Sequence, residues 1–414
     1  MGGTAERRAA LVIVAGAAIL AIAMGSRQTM GLYLPPMTLH LGHTHETFGL
    51  AIAVQNLLWG ALQPFTGALA DRWGAGRMIA FGALSYAAGL IGMTVWLDPV
   101  GLMLSAGVLI GIGLAGCGFA IVYGAVGRAV PPERRASAIA TVSLGSSVGL
   151  FASPQLAQLA IGGSGWQAAL WITGGVVALV LVLAGMLGVG ARKVPAAADA
   201  APAPLPTGGD AMSMGTALAT ASRNQGFLYL TAGFFVCGFH VTFIGTHLPG
   251  FVVSCGLPPE VGAWALGVVG LANVAGTWAA GWLGDRYRQK HILSLIYLGR
   301  AAIIAGLVLA PKTETTIYVF SAVFGLLWLS TVPLTGALVA RLFGAKHVGM
   351  LFGIVFFSHQ VGAFLGAWLG GRAYDATGNY DAMWIASILL GLLAAALHWP
   401  IRDQPAGSRI AATA

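Results

Sequence analysis

Long apolar runs separated by short polar punctuation recur from one end of the chain to the other. Crossing about 30 Å of hydrocarbon takes ~20 helical residues. Twelve runs reach that length, at roughly 10–34, 45–70, 77–96, 100–126, 136–160, 166–189, 225–252, 261–283, 292–310, 315–340, 348–371 and 382–399. The pattern predicts an all-α membrane protein of 12 transmembrane helices. The punctuation itself repeats. Residues 67–78 read GALADRWGAGRM, and residues 281–292, 214 positions later, read GWLGDRYRQKHI. Each copy packs an acid and several bases into a tight turn, once after the second apolar run and once after the eighth, so two pseudo-symmetric six-helix halves are expected. Between them residues 194–210, VPAAADAAPAPLPTGGD, are rich in Pro and Ala and lack periodicity, the composition of a flexible linker. The expected division is a bundle at 1–190, a cytoplasmic linker at 191–222 and a second bundle at 223–414.

Composition changes this picture only by sharpening it. Of 414 residues 57% are hydrophobic and 8% charged, where a soluble domain carries about 25% charged, so a soluble globular class is excluded. With both termini placed on the cytoplasmic side, 17 of the 21 Lys and Arg fall in cytoplasmic segments, the bias that orients membrane helices. The net charge of +8 is then an insertion signal, and no nucleic-acid partner is expected. Arg7 and Arg8 before an apolar run resemble the start of a signal peptide. The run is too long for one and the even span count requires it, so it is expected to remain. Cys117, Cys237 and Cys255 show no metal-ligand spacing, and neither a metal nor a cofactor is expected.

Candidate chemistry lies in the polar residues sunk inside the spans. Arg27 sits in GSRQTMGLYLPP at residues 25–36, with Gln28 beside it and Tyr33 downstream. A guanidinium at mid-bilayer costs about 2.5–3.5 kcal/mol to insert, which implies a water-filled cavity or a partner. Gln55, Asn56 and Gln63 in the second span must likewise face protein or water. His240 and His247 lie in the seventh span, Asn273 and Thr277 in the eighth, Arg300 in the ninth, Trp328 in the tenth, and Phe356, His359 and Gln360 in the eleventh. The GIGLAGCG stretch at 111–118 follows no strand, so it is not a phosphate loop. It reads as close helix packing without a turn. His40, His43, His45 and Glu46 read as a solvated outer loop. None of the 13 Asp and Glu falls deep in a span, so the buried cations invite a negative visitor.

Twelve spans, the central linker and the paired DRWGAGR and DRYRQK loops resemble the major facilitator superfamily. Such proteins hold substrate near the midplane between two six-helix halves and alternate access by rocking. The resemblance implies that Asp71, with Arg72 and Arg77, stabilises a closed inner face by lying against the N-terminus of span eleven, whose dipole attracts a carboxylate. Asp285 and Arg286 would mirror this against span five. Within the superfamily the chain resembles the monocarboxylate transporters and the bacterial oxalate:formate antiporter, through LYLPPM at 32–37, IVYGAVGRAVPPERR at 121–135, and GMLFG and GAFLGAWLGG in span eleven. That resemblance implies carboxylate contact by Tyr123 and an anion site at Asn273, but the arginine expected four residues later is Thr277. The antiporter's span-eleven lysine corresponds to His359 and its span-ten tryptophan to Trp328. With the usual cation missing, Arg27, Arg300 or a protonated His359 must replace it, unless the substrate is not an anion.

The expected function is secondary transport of a small organic anion, a monocarboxylate moving with a proton, by a monomer in the cytoplasmic membrane. Arg27 or His359 would hold the carboxylate, Gln28, Tyr123, Asn273 and Gln360 would hydrogen-bond it, and Trp328 and Phe356 would pack its apolar part. His359 first and His240 second would carry the proton. His247, Tyr33, Thr277 and Arg300 are further candidates. The alternatives are a carboxylate exchanger, a multidrug or hydrophobic-solute exporter, and a membrane sensor without transport.

Overall fold

A computed structural model describes residues 2–131, 134–191, 214–344 and 348–403. Most of the expected linker, together with Glu133, Lys346 and the tail beyond 403, lies outside the described residues. Secondary structure among the described residues is helical throughout. Ten stretches are long and apolar enough to cross a membrane. One of them, Ser137–Leu187, reverses at Gly165, whose φ of 82° is a left-handed conformation that a side chain would oppose. It is therefore two spans, five (135–164) and six (166–191). His45–Trp73, diluted by Gln55, Asn56 and Gln63, completes the set of twelve as span two.

Span one is Gly2–Gln28, a 3₁₀ turn at Met30–Tyr33 and Leu34–Leu41. Span three is Ala75–Val95 and span four Pro99–Ala129. The second half has span seven at Gln225–Ser254, eight at Pro259–Arg286, nine at Gln289–Leu309, ten at Glu314–Leu326 and Thr331–Phe343, eleven at Val348–Thr377 and twelve at Asp381–His398. The last ten residues before the second bundle, Met214–Arg223, form a helix with Ala217 and Ala221 buried.

Spans four and ten occupy equivalent places in the two halves, and both are broken. Span ten leaves helical geometry between Leu326 and Thr331. Span four breaks at Gly118, with φ −75° and ψ 173°, which corrects the expectation of an unbroken helix there. Irregular backbone is tolerated in a membrane where protein or a cavity covers it, and Gly118 faces the side chains of Trp59 and Gln63.

Each half has its own apolar core. Spans three, six, nine and twelve present Phe81, Val182, Leu295 and Leu389 outward, as spans five and eight present Leu159 and Trp278. The seam between halves is closed at one end only. There spans one and seven meet at Gly31, against the backbone of Gly245 and Thr246. Spans two and eleven meet at Gly49 against Ala367, and spans five and eight at Gly270 against Leu150. A Cβ on any of these glycines would collide with the facing backbone. At the opposite end, which carries the two basic loops, Gly67 and Gly281 face open space.

The closed end also corrects the expected outer loop. His45 and Glu46 open the helix of span two, capped by Thr44, whose hydroxyl accepts from the Thr47 amide at 3.1 Å. Their backbone amides donate to the Asp375 carboxylate of span eleven at 3.0 and 2.7 Å, and the His45 ring lies 3.3 Å from it. Glu46 in turn accepts from the Trp368 indole at 2.9 Å. A carboxylate at a helix N-terminus meets unpaired N–H groups and the positive end of the dipole, so this contact latches the two halves.

Candidate functional site

The break in span one leaves Arg27 and Gln28 at the end of a helix, facing spans two and seven. A cavity of about 20 Å³ lies between the halves, lined by Arg27, Gln28, Gln55, Asn56, Thr242 and Thr246 among others, a volume about the size of one water. The Arg27 guanidinium donates to Asn56 Oδ1 at 2.7 Å, and Asn56 is itself held by donating to the Ile52 carbonyl at 2.8 Å. Arg27 also lies 5.0 Å from the Trp59 ring centroid, a cation–π distance. Among the described residues no acid forms an ion pair with it.

An aromatic path leads from Arg27 across the seam. Trp59 meets Phe356 edge-on at 5.9 Å, and Phe356 stacks on His359 at 5.7 Å with the rings 5° apart. His359 Nδ1 lies 3.3 Å from Gln360 Oε1, and the Gln360 stem rests against Gly60. Thus a chain of contacts runs from Arg27 in one half, through Trp59, to Phe356, His359 and Gln360 in the other. Sequence reasoning missed Trp59, Thr242 and Thr246. Trp59 was available: with Asn56 and Gln63 it falls at the three- and four-residue spacing of one helix face.

The other candidates lie elsewhere. Arg300 is fully buried within the second half and donates to the carbonyls of Leu327 at 2.6 and 3.1 Å and of Trp328 at 2.5 Å. These are the carbonyls that the break in span ten deprives of helical partners. Asn273 serves the same break: its Oδ1 accepts from the Leu329 amide at 3.0 Å and from Thr277 at 3.2 Å. Trp328 is buried against Phe324 at 5.6 Å. His240 bonds the Ser387 carbonyl and His247 the Ala367 carbonyl, each at 2.8 Å, inside the second bundle. Tyr33 pairs with Thr173 at 3.3 Å and Tyr123 with Ser143 at 2.6 Å, inside the first.

The loop acids do not make the contacts expected of a closed inner face. Asp71 pairs with Arg128 at 3.4 Å, with its side chain 71% exposed, rather than with span eleven. Asp285, Arg72 and Arg77 form no ion pair among the described residues, and Arg286 folds over Trp282 at 3.9 Å. The physical reason is the open seam at that end, which carries the facing helices away.

A family model described as Major Facilitator Superfamily matches residues 16–331. The chain belongs to that superfamily. It is therefore a membrane transporter and not an enzyme. Its sequence is 26% identical over 370 residues to the uncharacterized MFS-type transporter YcxA of Bacillus subtilis (strain 168), covering 87% of this chain and 88% of that one. It is 26% identical over 390 residues to monocarboxylate transporter 11 of Homo sapiens, covering 91% and 79%. Among solved structures, a bacterial homolog of the human lysosomal transporter Spinster in an inward-facing, occupied conformation superposes with a TM-score of 0.74 at 15% identity, covering 94% of this chain and 95% of that one. The D-xylose–proton symporter superposes at 0.70 and 13% identity, covering 95% and 97%. The superfamily fold thus accounts for the paired loops, the two bundles and a cavity between them.

Proposed function

We propose that this transporter carries small organic anions, monocarboxylates entering with a proton, by alternating access between its halves. The observation that carries the reading is Arg27: a permanent cation at the seam, bonded to a neutral asparagine and, among the described residues, paired with no acid. A carboxylate would take the planar guanidinium through paired hydrogen bonds, with Asn56 as the partner it displaces. Trp59 and Phe356 would pack the apolar part of the ligand. His359 would take the proton, and Gln360 would orient it. Arg300, Asn273 and Trp328 support the site indirectly, by holding the broken span ten in place. The named monocarboxylate transporters among the relatives support the substrate class.

The Lys and Arg bias supports an orientation with both termini on the cytoplasmic side of the cytoplasmic membrane. On that orientation the open cleft faces inward, the state named for the Spinster homolog. The test is uptake of labelled monocarboxylates into liposomes holding the purified transporter under an imposed pH gradient. Acid outside is expected to stimulate uptake, Arg27→Gln to reduce it to near background, and His359→Gln to remove the stimulation. Uptake that ignores the gradient and needs only internal substrate would replace symport with exchange, and normal carboxylate uptake by Arg27→Gln would overturn the site.

A further inference from the structure

The cavity beside Arg27 contains more hydrogen-bonding capacity than the protein uses. Among the described residues, Gln28 Nε2, Thr242 Oγ1, the Arg27 Nε and both ends of the Gln55 amide are buried without a partner. Gln55 is 1% exposed, Thr242 3% and Gln28 4%, and all three line the cavity. Buried polar groups are nearly always paired, so a cluster of unpaired ones around one small space points to a ligand.

The unpaired groups differ in kind, and the difference selects among ligands. Arg27 and Gln28 offer N–H donors, which a carboxylate can satisfy. Gln55 is different, because whichever way its amide is turned it presents one carbonyl oxygen that must accept. A carboxylate has only acceptors and would leave that oxygen unpaired. So would a 2-oxo acid, whose keto oxygen also only accepts. A hydroxyl next to the carboxylate donates to Gln55 and can accept from Gln28 or Thr242. The cavity is about 20 Å³, which suits a hydroxyl rather than a longer polar arm.

We propose that this cavity is a hydroxyl-recognition subsite, with Gln55 as its specificity-determining residue, and that the substrate is a short 2-hydroxymonocarboxylate. The inference rests on the carboxylate reading above and narrows it. A site built to bond a hydroxyl penalises the analogue lacking it, because its own buried groups are then left unpaired.

Three acids of equal length test this: 2-hydroxybutyrate, 2-oxobutyrate and butyrate. Each is titrated against the purified transporter by thermal stabilisation and against uptake in liposomes. The hydroxy acid is expected to bind at least ~10-fold more tightly than either of the others. In Gln55→Leu that ratio is expected to collapse toward one, while Gln55→Asn, which keeps the amide, retains part of it. Size-exclusion profiles verify folding, and the wild-type comparison alone decides the matter if a variant does not fold. Equal affinity for all three acids would overturn the subsite and leave the carboxylate reading standing. Binding by none of them would overturn both.

Discussion

Two arginines buried in the same membrane show how little a residue's identity says without its partners. Arg300 is consumed by carbonyls of Leu327 and Trp328 that exist as acceptors only because span ten breaks there. Removing it strands those carbonyls in a dry core, at about 1–3 kcal/mol for each group left unpaired. Arg300→Met is therefore expected to lower the Tm of the purified transporter by several degrees. Arg27 has one hydrogen bond and an unpaired Nε, so Arg27→Met is expected to leave Tm unchanged or raise it while abolishing carboxylate binding. A Tm loss for Arg27→Met as large as for Arg300→Met would mean that both are structural. In the sequence both read as cations in hydrocarbon. The acceptors that separate them depend on a helix break that no periodicity announces.

At the scale of elements, the spans, their number and the paired loops were legible because hydrophobic length and turn charge are local properties. What the loops touch was not, because it changes as the halves move. The device expected at the basic end, a carboxylate against a helix N-terminus, is found at the other end, where Asp375 of span eleven holds the first amides of span two. Asp375→Asn is expected to enlarge the population open at that end, read as a longer distance component between spin labels on spans two and eleven. An unchanged distribution would remove the latch.

A second tie lies at the basic end, where Arg288 donates two hydrogen bonds to Asp403, one of them at 3.0 Å. That bond holds the Asp403 carboxyl below the usual carboxylate range, with Arg341 adding to it. The folded value is depressed, so the stabilisation is present above the unfolded value of about 3.9 and fades as pH falls through the folded one. With Arg288 half exposed, Asp403→Asn is expected to cost about 1 kcal/mol or less at pH 7. Thermal melts of wild type and variant should converge in strong acid.

For the whole molecule, one closed end and one open end are the arrangement that the proposed alternation of the halves requires on one side of its cycle. The closed end brings glycines of one half against the backbone of the other, with side chains such as Leu32 and Trp368 reaching across the seam. Gly49→Val should wedge that end open, because its side chain would occupy the space of the Ala367 carbonyl. A cysteine at Gly67, expected to react from the basic-loop side in the otherwise unaltered transporter, should then become protected. Unaltered labelling would show that the glycine seam does not govern closure.

Trp59 belongs to one bundle and leans on Phe356 of the other while the Arg27 guanidinium rests over its ring. Cargo that pulls the guanidinium toward itself must disturb the indole, and through it the fit of the two bundles. Arrival of a passenger would thus be reported to the moving parts by a single side chain, and the fluorescence of that tryptophan should register it.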